Sequence, residues 1–174
     1  MSSEIIIRAA RPEDAKDIAY VHVESWRSTY PGIVSQTYLD QLKYEDREKM
    51  WTSILHQITP RSHVLLAYDK EKKKVVGFVS SGPKRDHPNL PYDGEISALY
   101  ILKEFQSLGT GQMLFDASCR ELRTVGFQNA MLWVLKDSPS VGFYLAMGGK
   151  VISEDSCEIA GAQLKELLIG WDTI

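Results

Sequence analysis

The segment Leu99-Tyr-Ile-Leu-Lys-Glu-Phe-Gln106-Ser-Leu-Gly109-Thr-Gly111-Gln-Met-Leu constrains this chain of 174 residues more than any other. An apolar, aromatic and β-branched run from Glu95 to Leu102 leads into it and predicts a buried strand. A helical pattern leaves it from Gly109 to about Val125. Leu114, Phe115, Ser118, Leu122 and Val125 fall on one stripe, and Gly126 stops it. In the loop at 106–111, Gly109 and Gly111 let the backbone approach a ligand closely. The free N–H groups at the helix start, and the helix dipole behind them, favour an anion such as a pyrophosphate. On these grounds alone a plain tight turn fits as well. The spacing is neither G-x-G-x-x-G nor G-x-x-x-x-G-K-[ST], so dinucleotide-fold and P-loop readings lack their fingerprints.

The rest of the chain supplies the surroundings. Ile5-Ile6-Ile7 predicts a strand over 4–10, and Pro12 with Glu13 and Asp14 opens a helix to about Ser28. Pro31-Gly32 breaks the pattern, and helical stretches follow near 35–43 and 45–58. Residues 63–69 and 74–80 read as a hairpin, and the Gly- and Pro-rich stretch 82–94 as a long loop. Ala130–Leu135 is a buried-looking strand. Ser138 caps a short helix with Pro139 in its first position, and Gly148-Gly149 ends it. Val151–Ile159 and Leu164–Trp171 form a last hairpin around Gly161. Strand–helix–strand order requires parallel neighbours and hairpins require antiparallel ones. The expected class is α/β: one domain over 1–174, with a mixed sheet flanked by helices on both faces.

Composition narrows the function. The net charge of -3 disfavours a nucleic-acid partner and leaves room for a cationic one. Cys119 and Cys157 have no CxxC spacing, and His22, His56, His63 and His87 make no cluster, so no metal is expected. Basic and long apolar segments are lacking at the N-terminus, and no run reaches the roughly 20 residues of a membrane helix. A cytoplasmic protein without a membrane partner is the expectation. The apolar final hairpin fits either the core or a homodimer contact.

Gln106-x-x-Gly109-x-Gly111 after an apolar strand resembles the coenzyme A loop of the GNAT superfamily of N-acetyltransferases. Leu132-Trp-Val-Leu-Lys-Asp-Ser138-Pro-Ser-Val-Gly-Phe143-Tyr144-Leu-Ala-Met-Gly148-Gly149 resembles that family's later strand, helix cap, Phe-Tyr pair and closing glycine. Arg11-Pro12-Glu13-Asp14-Ala15 resembles its first strand-to-helix step. The order and separation of the motifs agree, and together they span nearly the whole chain. The resemblance implies a GNAT-like, mostly antiparallel twisted sheet of about seven strands flanked by four to five helices.

It also implies roles. The backbone of Leu99, Tyr100 and Ile101 would pair with the pantetheine amides, as in strand addition. Gln106, Ser107, Leu108, Gly109, Thr110, Gly111 and Gln112 would cradle the pyrophosphate of acetyl-CoA. Ser138 stands where many relatives have Asn, with a shorter reach toward the pantetheine arm. Tyr144 would be the general acid on the departing thiolate. Glu95 would be a base for the attacking amine or, equally, a solvated strand-end carboxylate. Trp26 and Tyr30 would line the acceptor pocket or pack helix on sheet. His22, on an apolar helix face, reads as a satisfied core histidine. The implied activity is transfer of an acetyl group from acetyl-CoA to an amine of a small molecule or peptide. The competing reading is an acyl-CoA-binding sensor or regulatory module without turnover.

Overall fold

The computed structural model describes residues 3–174. Its strands are β1 (Ile5–Ala9), β2 (His63–Asp69), β3 (Lys74–Pro83), β4 (Gly94–Ile101), β5 (Ala130–Leu135), β6 (Lys150–Ile159) and β7 (Ala162–Trp171). The helices are α1 (Ala15–Thr29), α2 (Gln36–Gln41), α3 (Tyr44–His56), α4 (Thr110–Thr124) and α5 (Ser140–Ala146), with 3-10 turns at Pro12–Asp14 and Lys103–Phe105. The strands form one sheet in the order β1-β2-β3-β4-β5-β7-β6. Every pairing is antiparallel except β4 with β5.

The entry to α1 is held by charge. Arg8 of β1 donates two hydrogen bonds of 2.8 Å to the Asp14 carboxylate, which also accepts from the Arg11 backbone N–H at 2.7 Å. The buried carboxylate thus has donors on both oxygens and satisfies the Arg11 amide that precedes the helical turn. Ile18, Ala19, Val21 and Val23 of α1 are wholly buried, as are Leu114 and Leu122 of α4. Both helices therefore spend an apolar stripe on the sheet. His22 accepts a 3.0 Å hydrogen bond from Trp51 Nε1 and stacks on Tyr100, which makes it the satisfied core histidine that its position predicts.

Among the boundaries that differ from the sequence reading, two bear on the site. β3 runs on to Pro83, because Ser81, Gly82 and Pro83 find partners in Ile96, Glu95 and Gly94 of β4. The connecting loop is therefore 84–93. Helix α5 starts at Ser140, one residue later than expected, and Ser138 Oγ accepts from the Ser140 N–H at 3.2 Å. The ends agree better. Gly126 and Gly148 both have positive φ, at 97° and 92°. Each closes its helix with paired bonds: Phe127 N–H to Leu122 and Gly126 N–H to Arg123, then Gly149 N–H to Tyr144 and Gly148 N–H to Leu145. This is the Schellman arrangement, which favours glycine at its left-handed position.

Leu167, Leu168, Ile169 and Trp171 of the final hairpin are buried within the chain. No helix among the described residues is long and apolar enough to cross a membrane.

Candidate active site

The site arises where the sheet fails to stay closed. β4 and β5 pair only through Gly94 with Ala130 and Glu95 with Met131. Beyond these residues the two strands part, although β4 remains fully paired to β3 on its other edge. The edge of β4 facing β5 is left with free backbone groups from Ile96 onward. A register shift in the β3 pairing leaves Ser97 as an extra residue in β4, between Ile96 and Ala98. Such a bulge bends the strand and raises its local twist, which helps to open the gap.

A cavity of about 650 Å³ fills the opening. Ile96 to Ile101 form one wall and Leu132 to Leu135 the other. Gln106, Ser107, Gly109, Gly111 and Gln112 close one end, and Phe143, Tyr144 and Met147 of α5 border it. Trp26, Thr29 and Tyr30 of α1 face Cys157, Ile159 and Glu166 of the last hairpin at the other.

The loop end presents free backbone donors. Ser107 and Gly109 both adopt left-handed conformations, with φ of 60° and 87°. Among the described residues, none of the six backbone N–H groups from Ser107 to Gln112 donates to a protein acceptor. Gln106 ties the loop to the end of β4 through a 3.1 Å bond from Nε2 to the Ile101 carbonyl. Free amides in this arrangement, backed by the dipole of α4, fit phosphate oxygens. Leu108, 71% exposed, and Thr110, 1% exposed, do not line the cavity. Ser138 is buried beneath the start of α5 and does not line the cavity.

Tyr144 lies 6% exposed on α5 and lines the cavity. Among the described residues its hydroxyl makes no hydrogen bond to protein, and its ring stands edge-on to Trp171 at 6.3 Å. Burial, with the neighbouring Tyr100 hydroxyl adding to it, raises its pKa far above that of a free phenol. Burial, then Tyr100 and Tyr144, does the same for Tyr30. Both phenols therefore stay protonated at neutral pH.

Glu95 occupies a different place. It is 4% exposed, does not line the cavity, and both its oxygens are engaged by Arg85. The Arg85 backbone N–H donates at 2.9 Å, Nε at 3.3 Å and a terminal nitrogen at 3.1 Å. The pair tethers the 84–93 loop, which is further pinned by Asp93 N–H to Asn129 Oδ1 at 2.7 Å and by Tyr92 Oη to Asp172 at 2.8 Å. Trp26 and Tyr30 both line the cavity, and their rings meet edge-on at 4.7 Å.

Trp133, Cys157, Ile159 and Glu166 are cavity residues that the sequence reading did not single out. For Glu166 a signal was present. Two successive charges, Lys165-Glu166, interrupt an apolar strand, and alternation sends one of them to each face of the sheet. No group of three or more His, Cys, Asp and Glu side chains suited to a metal converges among the described residues.

Comparison with known proteins bears on this geometry. Residues 20–148 match the model of the acetyltransferase (GNAT) family. The chain is 41% identical over 167 residues to the uncharacterized N-acetyltransferase YuaI of Bacillus subtilis (strain 168), covering 96% of this chain and 92% of that protein. The fold is similar to the PaiA N-acetyltransferase of Thermoplasma acidophilum, solved in complex with coenzyme A. The TM-score is 0.76 at 20% identity, over 96% of this chain and 98% of that one. It is also similar to YncA of Salmonella typhimurium, solved with its cofactor acetyl-CoA, with a TM-score of 0.67 at 16% identity over 96% and 92% of the two chains. The sheet parted between β4 and β5, the glycine loop after β4 and the family match together make this chain a member of the GNAT family of acetyltransferases.

Proposed function

We propose that the protein transfers an acetyl group from acetyl-CoA to the nitrogen of an amine acceptor. The observation that carries this reading is the continuity of the cavity. It runs from the unsatisfied amides of Ser107–Gln112, along the open edge of β4, past the Tyr144 hydroxyl to the aromatic end at Trp26 and Tyr30. A pyrophosphate suits the first part, an extended amide-bearing arm suits the second, and a thioester suits the place beside Tyr144. The two solved relatives that hold coenzyme A or acetyl-CoA agree with this use of the fold.

In this reading the neutral amine attacks the thioester carbonyl, the carbon–sulfur bond breaks, and the sulfur leaves as a thiol. Tyr144 supplies a hydrogen bond that strengthens as charge builds on sulfur, and then the proton; the nitrogen gives up one proton to solvent as the amide forms, and the Tyr144 phenolate regains one from solvent. Burial raises the pKa of the phenol, but it equally disfavours a bare thiolate in the same cavity, so the transfer is not made unfavourable by burial alone. Backbone N–H groups of Leu99 to Ile101 align the arm of acetyl-CoA by strand-like pairing. Glu95, held by Arg85, orders the 84–93 loop and takes no part in the proton step.

The direct test is product formation. Purified protein, acetyl-CoA and a panel of amines should release free thiol and yield an N-acetylated product by mass spectrometry. Acetyl-CoA binding without product from any amine supports the sensor reading. Absence of calorimetric heat and of a melting shift at millimolar acetyl-CoA removes the cofactor assignment.

A further inference from the structure

Glu166 is the only Asp, Glu, Lys or Arg among the described residues that line the cavity. It lies half-buried on β7, opposite Leu135 of β5 on one side and Asp155 of β6 on the other. Among the described residues it forms no ion pair, whereas Glu4, Glu24, Glu95, Glu104 and Glu154 have Lys or Arg partners. A carboxylate drawn part-way out of water without a partner is costly, and the cost is recovered when a cation arrives. The walls beside it suit the body of such a cation. Trp26 and Tyr30 from α1, Trp133 and Leu135 from β5, and Cys157 from β6 are aromatic or apolar. Aromatic faces attract ammonium groups.

Resting on the reading above, we propose that Glu166 anchors a cationic group of the acceptor, and that the acceptor is a short molecule with two basic nitrogens. The second nitrogen follows from proton affinity. A carboxylate partner stabilises the protonated form of an amine, and a protonated nitrogen has no lone pair with which to attack. The nitrogen on Glu166 is therefore held, while the other reaches the thioester. Asp155, across the strand pair, adds negative charge and repels an acceptor that carries a carboxylate. Burial foremost, with Asp155 adding to it, raises the Glu166 carboxyl above the usual range, while the Cys157 thiol and His87 oppose the shift. His87 belongs to the tethered loop and lies against Trp133, with ring centres 5.2 Å apart and the planes tilted by 44°.

The test is calorimetric titration of the whole protein, with and without coenzyme A, using 1,4-diaminobutane, 1-aminobutane and 4-aminobutanoate. The parent should bind the diamine at least ~10-fold tighter than the monoamine, and the amino acid weakest. Glu166→Gln should weaken the diamine by about 10- to 100-fold, in line with loss of one charge-assisted hydrogen bond, and should weaken the monoamine too, whose single ammonium group takes the same anchor. Glu166→Asp keeps the charge and should keep the preference, which guards against a variant that merely folds poorly. No discrimination by the parent, no amine binding at all, or a Glu166→Gln variant that binds the diamine normally would each overturn the proposal. So would an equal loss of turnover with the monoamine in Glu166→Gln, which would make Glu166 the proton acceptor. Coenzyme A heat in the same titrations judges the acetyl-CoA reading separately.

Discussion

Gly111 and Phe143 pack against each other across the floor of the cavity: a Cβ placed on Gly111 would stand 3.2 Å from Phe143 Cζ and 3.2 Å from Ile101 Cδ1. The glycine loop and the Phe-Tyr pair, separate motifs in the sequence, are thus one packing unit. A side chain at position 111 would crowd the side chains behind it as well as any ligand in front. Gly109 differs, since a Cβ there would meet nothing within 4 Å and only its φ of 87° demands glycine.

Gly111→Ala should therefore change stability little, while acetyl-CoA protects the variant less than the parent. Alanine gains up to about 1 kcal/mol of helix propensity. Crowding against Ile101 and Phe143 costs about 1–3 kcal/mol. Both Gly111 and Phe143 line the cavity, so the displaced ring intrudes on bound ligand. Melting curves with and without acetyl-CoA check this. A ligand shift as large in Gly111→Ala as in the parent would separate the loop from binding.

Tyr144→Phe should lower kcat and kcat/KM together by about 10²–10⁴-fold while acetyl-CoA binding changes little. The ring contacts with Phe143 and Trp171 remain in the variant, and only the hydroxyl is lost. The effect should hold across acceptors, because the leaving thiol is the same each time. Steady-state kinetics beside melting curves, under conditions where chemistry limits the rate, provide the measurement. Full activity would remove the proton-donor role.

His22 should make the protein less stable as pH falls from 6.5 toward 4. Burial lowers its pKa from 6.5 to about 4. The unfolded chain therefore takes up a proton in that interval that the folded chain refuses. The stabilisation is complete above 6.5, is lost progressively below it, and falls no further beneath about 4. Urea unfolding at pH 7 and pH 4.5 should show a smaller difference in His22→Gln, whose amide oxygen still accepts from Trp51 but does not titrate.

Asp14→Asn should destabilise the fold by about 1–3 kcal/mol, since it weakens two bonds from Arg8 and one from Arg11. Hydrogen bonding to Arg8 holds the Asp14 carboxyl below its ordinary 3.8. Its contribution is present above that value and disappears as pH falls through the lower folded one. Stability of the parent should fall below pH 4 more steeply than that of Asp14→Asn.

Much of this fold was legible from one sequence because its signals are local. The strands at 63–69 and 130–135 are bounded by turn residues, and the helix stops at Gly126 and Gly148 follow from the left-handed positions that glycine fills without strain. The glycine loop gave the free amides at one end of the cavity, since the amides at a helix start depend only on the backbone around them. Glu95 was only half legible, for the opposite reason. Its place at the head of β4 was readable, but its partner Arg85 lies ten residues earlier on a loop whose path no periodicity describes.

What the sequence by itself determined is the order of elements, the glycine loop at the start of α4 and the position of Tyr144 on the helix after β5. What the tertiary structure alone decided is the parting of β4 from β5, the meeting of Trp26, Tyr30, Trp133 and Glu166 at one end of the opening, and the engagement of Glu95 by Arg85. Pairing between strands separated by a whole helix, and which faces of α1 and β7 share a cavity, depend on long-range packing; local propensity fixes each segment's shape but leaves its neighbours open.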